Sequence, residues 1–396
     1  MSTKGDGCVI QRGNTWTIIL SRTDRATGKR SRDYHSGYKT EREAKAALRK
    51  LLVAKDEGKY AAPHKGTVED YIANWLDKWA IHTAQAGTIE RYEGAAAPII
   101  AALGKVKIQA ITAEDLNAVI IAMRRDKYAP ATVKLTFRVA KRIWRHAYKH
   151  GHVKRDIFAL LDAPAVPRQE FEVLRDEEAA RMLDALRGTH LYPLAVLGLT
   201  TGMRRGEMLA LRWSAVDLDR GEALVRASLE QTRAGLRFKE TKTARARTIA
   251  LPPTTIAVLR EHRRGQLELR LKLGLGRQPD DALVFSDHEG NPLPPNRTSM
   301  QFIEVMRRID LPRIGLHDLR HYHASTLIAA GEDIITVSRR LGHANASITL
   351  NVYGHVMKTQ DRASAIAESK IGSIFGSCGL CKKIMIAADF PCGLVW

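Results

Sequence analysis

Two arginines, several histidines and one tyrosine in the C-terminal half of this 396-residue chain are spaced as a phosphate would require. Thr201-Gly202-Met203-Arg204-Arg205-Gly206-Glu207 lies between an apolar run ending near Leu199 and another passing Leu209 and Leu211 toward Trp213. That pattern predicts a turn into a helix N-terminus. Such an end offers unpaired backbone N–H groups and a positive dipole, and Arg204 adds planar donors suited to phosphate oxygens. Glu207, in the first turn, complements the dipole on its own account. Leu316-His317-Asp318-Leu319-Arg320-His321 opens a second helix, with Leu319, Tyr322 and Leu327 inward and a stop at Gly331. His317 and Arg320, three residues apart, share a face, so a proton-carrying imidazole and a guanidinium meet the same anion. Leu341-Gly342-His343 closes a short helix that begins after Asp333, and Tyr353-Gly354-His355 follows ten residues later. A tyrosine there is more often core than catalyst. His317, His321 and His323 also admit a metal site, but no carboxylate or thiolate completes it. Without a carboxylate pair, a Ser-His-Asp grouping or a phosphate-cradling glycine loop, these are parts for phosphoryl transfer that uses neither metal nor nucleotide.

The elements that must hold these residues can be read outward from them. A helical pattern resumes at Asp176, and strand candidates near 223–228, 235–240 and 246–251 end at Pro252-Pro253. The expected catalytic region, 172–375, is therefore mostly helical with a small antiparallel sheet. Pro164 and Pro167 mark a linker before it. Upstream, 65–162 reads as all-helical. Thr67 and Asp70 open a helix with Val68, Tyr71, Ile72, Trp75, Leu76 and Trp79 on its apolar face. Further helices are predicted near 88–102, 112–125 and 131–150. In the last, Lys134, Arg138, Lys141, Arg142, Arg145 and Lys149 fall in a stripe about 100° wide, apart from Val133, Phe137, Ala140, Trp144 and Tyr148. No acid interrupts the stripe, which suits a phosphate backbone, although a charge run is commonly only a solvated face.

Residues 1–60 alternate around Trp16, Ile18 and Leu20, pass a basic turn near Gly28 and reach Tyr34 and Tyr38. Thr40 and Glu43 then cap a helix. This three-stranded sheet plus helix holds 14 Lys or Arg against 7 Asp or Glu. Across the chain, 63 Lys or Arg face 43 Asp or Glu, a formal charge of +20 that points to nucleic acid as partner. Apolar residues at 44% and charged residues at 27% exclude a disordered or collagenous chain. No run approaches the ~20 apolar residues of a membrane helix, and no signal peptide opens the chain, so a cytoplasmic protein is expected. The four cysteines do not form a disulfide framework. The stretch 376–396, with Cys378, Cys381 and Cys392, loses helical periodicity and is an atypical tail.

Taken in order, Arg204 with Glu207, Lys-Thr on a strand, His317 with Arg320, Leu-Gly-His343 and Tyr353-Gly-His resemble the tyrosine recombinase family, phage-type integrases above all. The resemblance covers about 176–370, and the family's upstream plan of an arm-type DNA-binding domain (1–60) and a helical core-binding domain (65–162) covers most of the rest. It implies that Tyr353 attacks a scissile DNA phosphate to form a 3′-phosphotyrosine, releasing a 5′-hydroxyl. Arg204 and Arg320 would clamp the nonbridging oxygens, with His317 and His343 supplying hydrogen bonds or proton transfer and Glu207 supporting the site. Lys242 matches the lysine that protonates the leaving oxygen, with Lys239 the alternative. The resemblance further implies no cofactor, double-stranded DNA with core and arm-type sites, and a homotetramer assembled on DNA. An excisionase or a host bending protein is a further candidate partner. Gln360–Phe375 would supply the segment exchanged between neighbours. Two other readings stay open: an accessory DNA-binding protein of the same fold that does not cut, and a topoisomerase-like strand relaxer.

Overall fold

The computed structural model describes residues 7–23, 30–57, 60, 66–167, 174–240, 246–311 and 314–353. Lys242, Gln360–Phe375 and the cysteine-bearing tail lie outside the described residues. The chain separates into two compact units, Met1–Glu170 and Phe171–Trp396.

The first unit begins with strands β1 (Gly7–Arg12), β2 (Thr15–Thr23) and β3 (Arg30–Tyr38), antiparallel and in that order. Ile18 and Leu20 are fully buried, as the alternation predicts, and α1 (Glu41–Asp56) packs on β1 and β2. The Thr40 hydroxyl accepts the Glu43 N–H, while the Glu43 carboxylate accepts from Lys39, one residue before the regular position of a capping box.

The helices that follow are α2 (Val68–Trp75), α3 (Ile81–Thr83), α4 (Ala86–Leu103), α5 (Ala113–Arg125) and α6 (Pro130–Lys149). Thr67 and Asp70 form both halves of a capping box at the start of α2. Trp79 departs from the expected apolar face and is 46% exposed. Leu76–Ala80 winds as a π-helix, whose wider turn rotates Trp79 off the stripe that Tyr71, Ile72 and Trp75 bury. The core joins Trp75, Ile99, Leu116, Phe137, Ile143, Trp144 and Phe158, each large side chain contributing ~1.5–3 kcal/mol by burial. On the opposite side of α6, Lys134, Arg138, Arg142, Arg145 and Lys149 are exposed and Lys141 is half-buried. Arg142 donates to the Tyr92 hydroxyl at 2.8 Å, Arg145 lies 3.5 Å from the Asp156 carboxylate, and the Lys141 ammonium lies over the Phe137 ring at 6.0 Å. Tyr148, expected to pack, is exposed where α6 runs out past its core.

The second unit runs α7 (Asp176–Leu186), α8 (Leu191–Thr201), α9 (Arg205–Leu209), strands β4 (Val216–Asp217), β5 (Glu222–Val225), β6 (Ala227–Thr232), β7 (Gly235–Glu240) and β8 (Arg247–Ala250), then α10 (Pro253–Lys272), α11 (Pro295–Arg308), α12 (Leu316–Ala329), α13 (Ile334–Leu341) and α14 (Ala346–Tyr353). The strands form two sheets rather than one. The expected strand at 223–228 breaks at Arg226, β5 joining the order β4-β5-β8 and β6 pairing with β7 as a separate hairpin. Helix α8 is apolar on all sides and buried on all sides, packed on α10 and α12. Its neighbours Met208, Trp213, Phe285, Phe302 and Leu319 complete one core. A smaller cluster of Ala324, Ile328, Val337, Leu341 and Tyr353 binds α12, α13 and α14 together. The fold is mainly helical with small antiparallel sheets. Among the described residues no helix is long and apolar enough to cross a membrane.

Candidate active site

Arg204 sits at the N-cap of α9, where Gly202 ends α8 in the left-handed conformation at φ +63°. A side chain at Gly202 would be strained, and its Cβ would come within 2.7 Å of the His323 ring and of Leu341. The turn aims the Gly202 carbonyl at Arg320, whose Nη1 donates to it at 2.7 Å. Gly342 ends α13 in the same conformation, φ +69°, and its carbonyl accepts from Arg204 Nη2 at 3.0 Å. The two arginines, 116 positions apart in the sequence, are thus each anchored by the last carbonyl of a glycine-capped helix.

Glu207 is 2% exposed, and its carboxylate takes Arg204 Nη1 at 2.8 Å and the Arg204 backbone N–H at 2.9 Å. Arg247 on β8 completes the carboxylate's shell at 3.1 and 2.7 Å. Burial raises the Glu207 pKa, but hydrogen bonds and charge from Arg247 and Arg204 outweigh it, holding the carboxyl below its usual range.

Arg320 is also 2% exposed, and its Nη2 is buried without a hydrogen-bond partner. Burial, with the Arg204 charge adding to it, pulls its pKa down to about 9. A guanidinium remains protonated at neutral pH, so the shift marks a buried positive charge short of an anion. His317 has its pKa lowered by burial and then by Arg320, with Arg204 and Arg205 contributing. His317 is one helical turn from Arg320 on α12, and Arg320 reaches the Gly202 carbonyl two residues before Arg204, so the three share one place.

Tyr353, at the end of α14, is buried and its hydroxyl lies 2.5 Å from His321 Nδ1. Burial pushes its pKa up to about 12, while the Arg320 charge pulls the other way. The His321 ring is edge-on to His317 at 4.8 Å between centroids. His343, directly after Gly342, shares a hydrogen bond of 2.8 Å with Thr349 of α14. The sequence reading therefore finds Arg204, Glu207, His317, Arg320, His343 and Tyr353 in one neighbourhood. Lys242 falls outside the described residues. Lys239 is on β7 with its ammonium 2.8 Å from the Glu230 carboxylate.

Two of the three histidines weighed for metal are engaged elsewhere. His321 meets Tyr353, and His323 bonds the Leu199 carbonyl at 2.9 Å and takes Arg340 Nε at 3.0 Å. Among the described residues no three His, Cys, Asp or Glu stand together as a metal site. Arg247 and the Tyr353–His321 contact escape the sequence reading. Arg247 carried a weak signal, an isolated cation in a strand otherwise reading Thr-Ile-Ala-Leu, but nothing local ties it to Glu207.

His321, His323 and His343 are each pushed down to about 4, first by burial and then by neighbouring cations or imidazoles. The unfolded chain, with imidazoles near 6.5, binds more protons than the folded one between those values. Their contribution to stability is whole above about pH 6.5 and falls away as pH drops toward 4. The second unit should lose on the order of 5–10 °C in Tm between pH 7 and pH 5. Calorimetry across that range checks it, and a level profile would contradict a neutral histidine cluster.

Residues 172–360 match the model of the phage integrase family, and residues 10–54 match an arm DNA-binding domain. The second unit thus carries a phage integrase family domain and the first an arm DNA-binding domain, and the curated relatives are named tyrosine recombinases and integrases. A curated relative, the tyrosine recombinase XerC-like protein of Caldanaerobacter subterraneus subsp. tengcongensis, is 27% identical over 87% of this chain and 92% of its own length. Of solved structures, the Tn1549 transposon integrase in complex with transposon right end DNA aligns with a TM-score of 0.64 at 19% identity, over 76% of this chain and 99% of that one. A lambda integrase tetramer bound to a Holliday junction aligns with a TM-score of 0.55 at 17% identity, over 86% and 96%. At these identities the structural matches speak for the fold.

Proposed function

We propose that the chain is a site-specific DNA recombinase that cleaves and rejoins strands through a 3′-phosphotyrosine on Tyr353, integrating or excising a mobile element. The observation that carries this reading is the buried Arg320 guanidinium with an unpaired Nη2, beside Arg204 and His317 and next to the Tyr353 phenol. A scissile phosphate supplies the missing anion. In the reaction, the Tyr353 oxygen forms a bond to phosphorus, the bond from phosphorus to the 5′-oxygen breaks, and the phenol proton passes to a neighbouring base. Arg204 and Arg320 hold the nonbridging oxygens as charge builds up on them. Neutral at pH 7, His317 and His343 are able to accept or donate hydrogen bonds, and a bound phosphate would raise their affinity for protons. Lys242 protonates the leaving 5′-oxygen. The Lys239 ammonium, taken by Glu230, supports that choice over the alternative. The rejoining step reverses these transfers, so bond energy is kept in the phosphotyrosine.

The arm-type domain (1–60), the core-binding domain (65–162) and the catalytic domain (172–375) would act on double-stranded DNA as a homotetramer. The setting is the cytoplasm of a bacterial host, with an excisionase or a host bending protein setting direction. The fold shared with the lambda integrase tetramer supports the assembly. The test is incubation with pooled random-sequence nicked duplexes, followed by denaturing electrophoresis and sequencing of DNA that migrates with protein. Enrichment of one sequence in a covalent adduct is expected. Nicking without exchange between two such duplexes would favour strand relaxation, and no adduct would leave a binding protein.

The α6 stripe takes the backbone-contact part of this reading. Converting Lys134 and Arg138 to Gln should lower core-site affinity and reduce the steepness of log K against log salt by roughly 1–2 units, at about 0.9 per phosphate contact. Fluorescence anisotropy across a salt series measures it. An unchanged slope would return the stripe to a solvated face.

A further inference from the structure

We propose that Arg247 is a positioning residue that couples the Arg204 clamp to the helix end carrying His343, using Glu207 as the shared anion. The inference rests on the cleavage reading above and extends it to a residue outside the expected site. Arg247 donates through Nη1 and Nη2 to the two Glu207 oxygens at 3.1 and 2.7 Å, and its Nε donates to the Arg340 carbonyl at 3.1 Å. One planar group therefore bonds the carboxylate that holds Arg204 and the last turn of α13 at once. The contact with α13 is close. A Cβ on Gly342 would meet the Arg247 guanidinium at 2.8–3.0 Å, so the glycine at this position makes room for the fork as well as for the left-handed backbone. The Gly342 carbonyl in turn accepts from Arg204. A closed ring of contacts results: Arg204 to Glu207, Glu207 to Arg247, Arg247 to the end of α13, and the end of α13 back to Arg204. His343 is the next residue along the chain, and it bonds Thr349 of the helix that ends in Tyr353.

Several features set this arrangement apart from an ordinary surface ion pair. Glu207 is 2% exposed and the Arg247 side chain 14%, so water does not replace either partner. Arg204 is more open, at 41% of its side chain, and takes its orientation from the carboxylate behind it. The charged groups facing Glu207 are Arg204 from its own helix, Arg247 from β8 and Arg320 from α12. Arg247 is the largest of the influences that keep the carboxyl ionised against its burial. Without it, Glu207 takes up a proton nearer neutral pH, Arg204 loses the charge behind it, and only the Arg204–Gly342 bond still ties this group to α13.

The experiment compares wild type, Arg247→Lys, Arg247→Gln and the double variant Glu207→Gln/Arg247→Gln. Two readouts are used: single-turnover adduct formation on a nicked site at saturating DNA, and Tm, both from pH 5 to 9. For Arg247→Gln we expect cleavage to fall at least about 100-fold at pH 7 with DNA affinity within threefold of wild type, and Arg247→Lys to recover part of the loss. The residual cleavage of Arg247→Gln should climb with pH as Glu207 ionises, a rise absent from the double variant. Its Tm deficit against wild type should widen as pH rises through the same range, since a buried carboxyl with a raised pKa loses stability on ionising. The Arg247 charge also depresses His343, so the Arg247→Gln deficit is read against the double variant, which lacks Arg247 as well and subtracts that share, leaving the contribution of Glu207. Cleavage by Arg247→Gln within threefold of wild type overturns the coupling, as does a Tm deficit that stays constant with pH. An equal fall in cleavage and DNA affinity also overturns it, because general loss of structure would do the same. Should wild type form no adduct, the recombination reading fails, and the pH dependence of the Tm deficit still decides whether Arg247 governs Glu207.

Discussion

Tyr353→Phe should abolish covalent capture of nicked DNA, a loss of at least about 10³-fold, while DNA affinity stays within threefold of wild type. The phenolic oxygen is the only atom removed, and no nucleophile takes its place. In the folded protein that oxygen is buried and 2.5 Å from His321 Nδ1. The variant therefore strands one ring nitrogen but also drops a hydroxyl from an apolar cluster of Ile328, Val337 and Leu341. These two effects oppose each other at ~1–2 kcal/mol each, so Tm should move by only a few degrees. Adduct surviving in the Phe variant would remove Tyr353 from the chemistry. With its pKa pushed up to about 12, the phenol does not ionise on its own near neutral pH, so cleavage requires a base and the positive field of Arg320.

Arg320→Met should cost adduct formation about 10²–10⁴-fold at saturating DNA and yet leave Tm unchanged or raised. The opposite signs follow from one fact, a buried guanidinium with an unpaired Nη2 and Arg204 and Arg247 charges nearby. Replacing an uncompensated buried charge by an apolar side chain of similar length commonly leaves stability level or improved, against the loss of one bond to the Gly202 carbonyl. The phosphate in the transition state, by contrast, loses a fixed cation. Arg320→Lys is not a rescue, because a single ammonium cannot hold the Gly202 carbonyl and reach an anion at the same time. A clear drop in Tm for the Met variant would mean that Glu207 and the phenol already compensate the charge, and the case for a waiting anion site would fail.

The site residues were legible where local geometry alone brings them together. His317 and Arg320 share a face because helices repeat every 3.6 residues, and Arg204 and Glu207 are the two ends of one helix turn. Joining those pieces to each other and to Tyr353 took the order and identity of the motifs, because spacing says nothing across the 116 positions between the two arginines. Arg247 was out of reach for the same reason: its partners lie 40 and 93 positions away. Trp79 failed differently. The apolar period was sound up to Trp75, but a π-turn has no signature in periodicity, and it rotated the next aromatic out to meet His146 edge-on and His150 at a tilt, with centroids 4.5 and 4.7 Å away. The strand run at 223–228 also misled, since two short strands that leave for different sheets read as one continuous alternation.

The glycine caps on α8 and α13 have a consequence for how DNA would be met. Because the Gly202 and Gly342 carbonyls already fix both guanidinium groups, their rotamers are chosen during folding, and an incoming strand need not freeze them. Two of the most entropically costly side chains in the protein thus add little disorder penalty to association. A methyl group at either glycine would leave every reactive atom in the chain and still blur where the charges point.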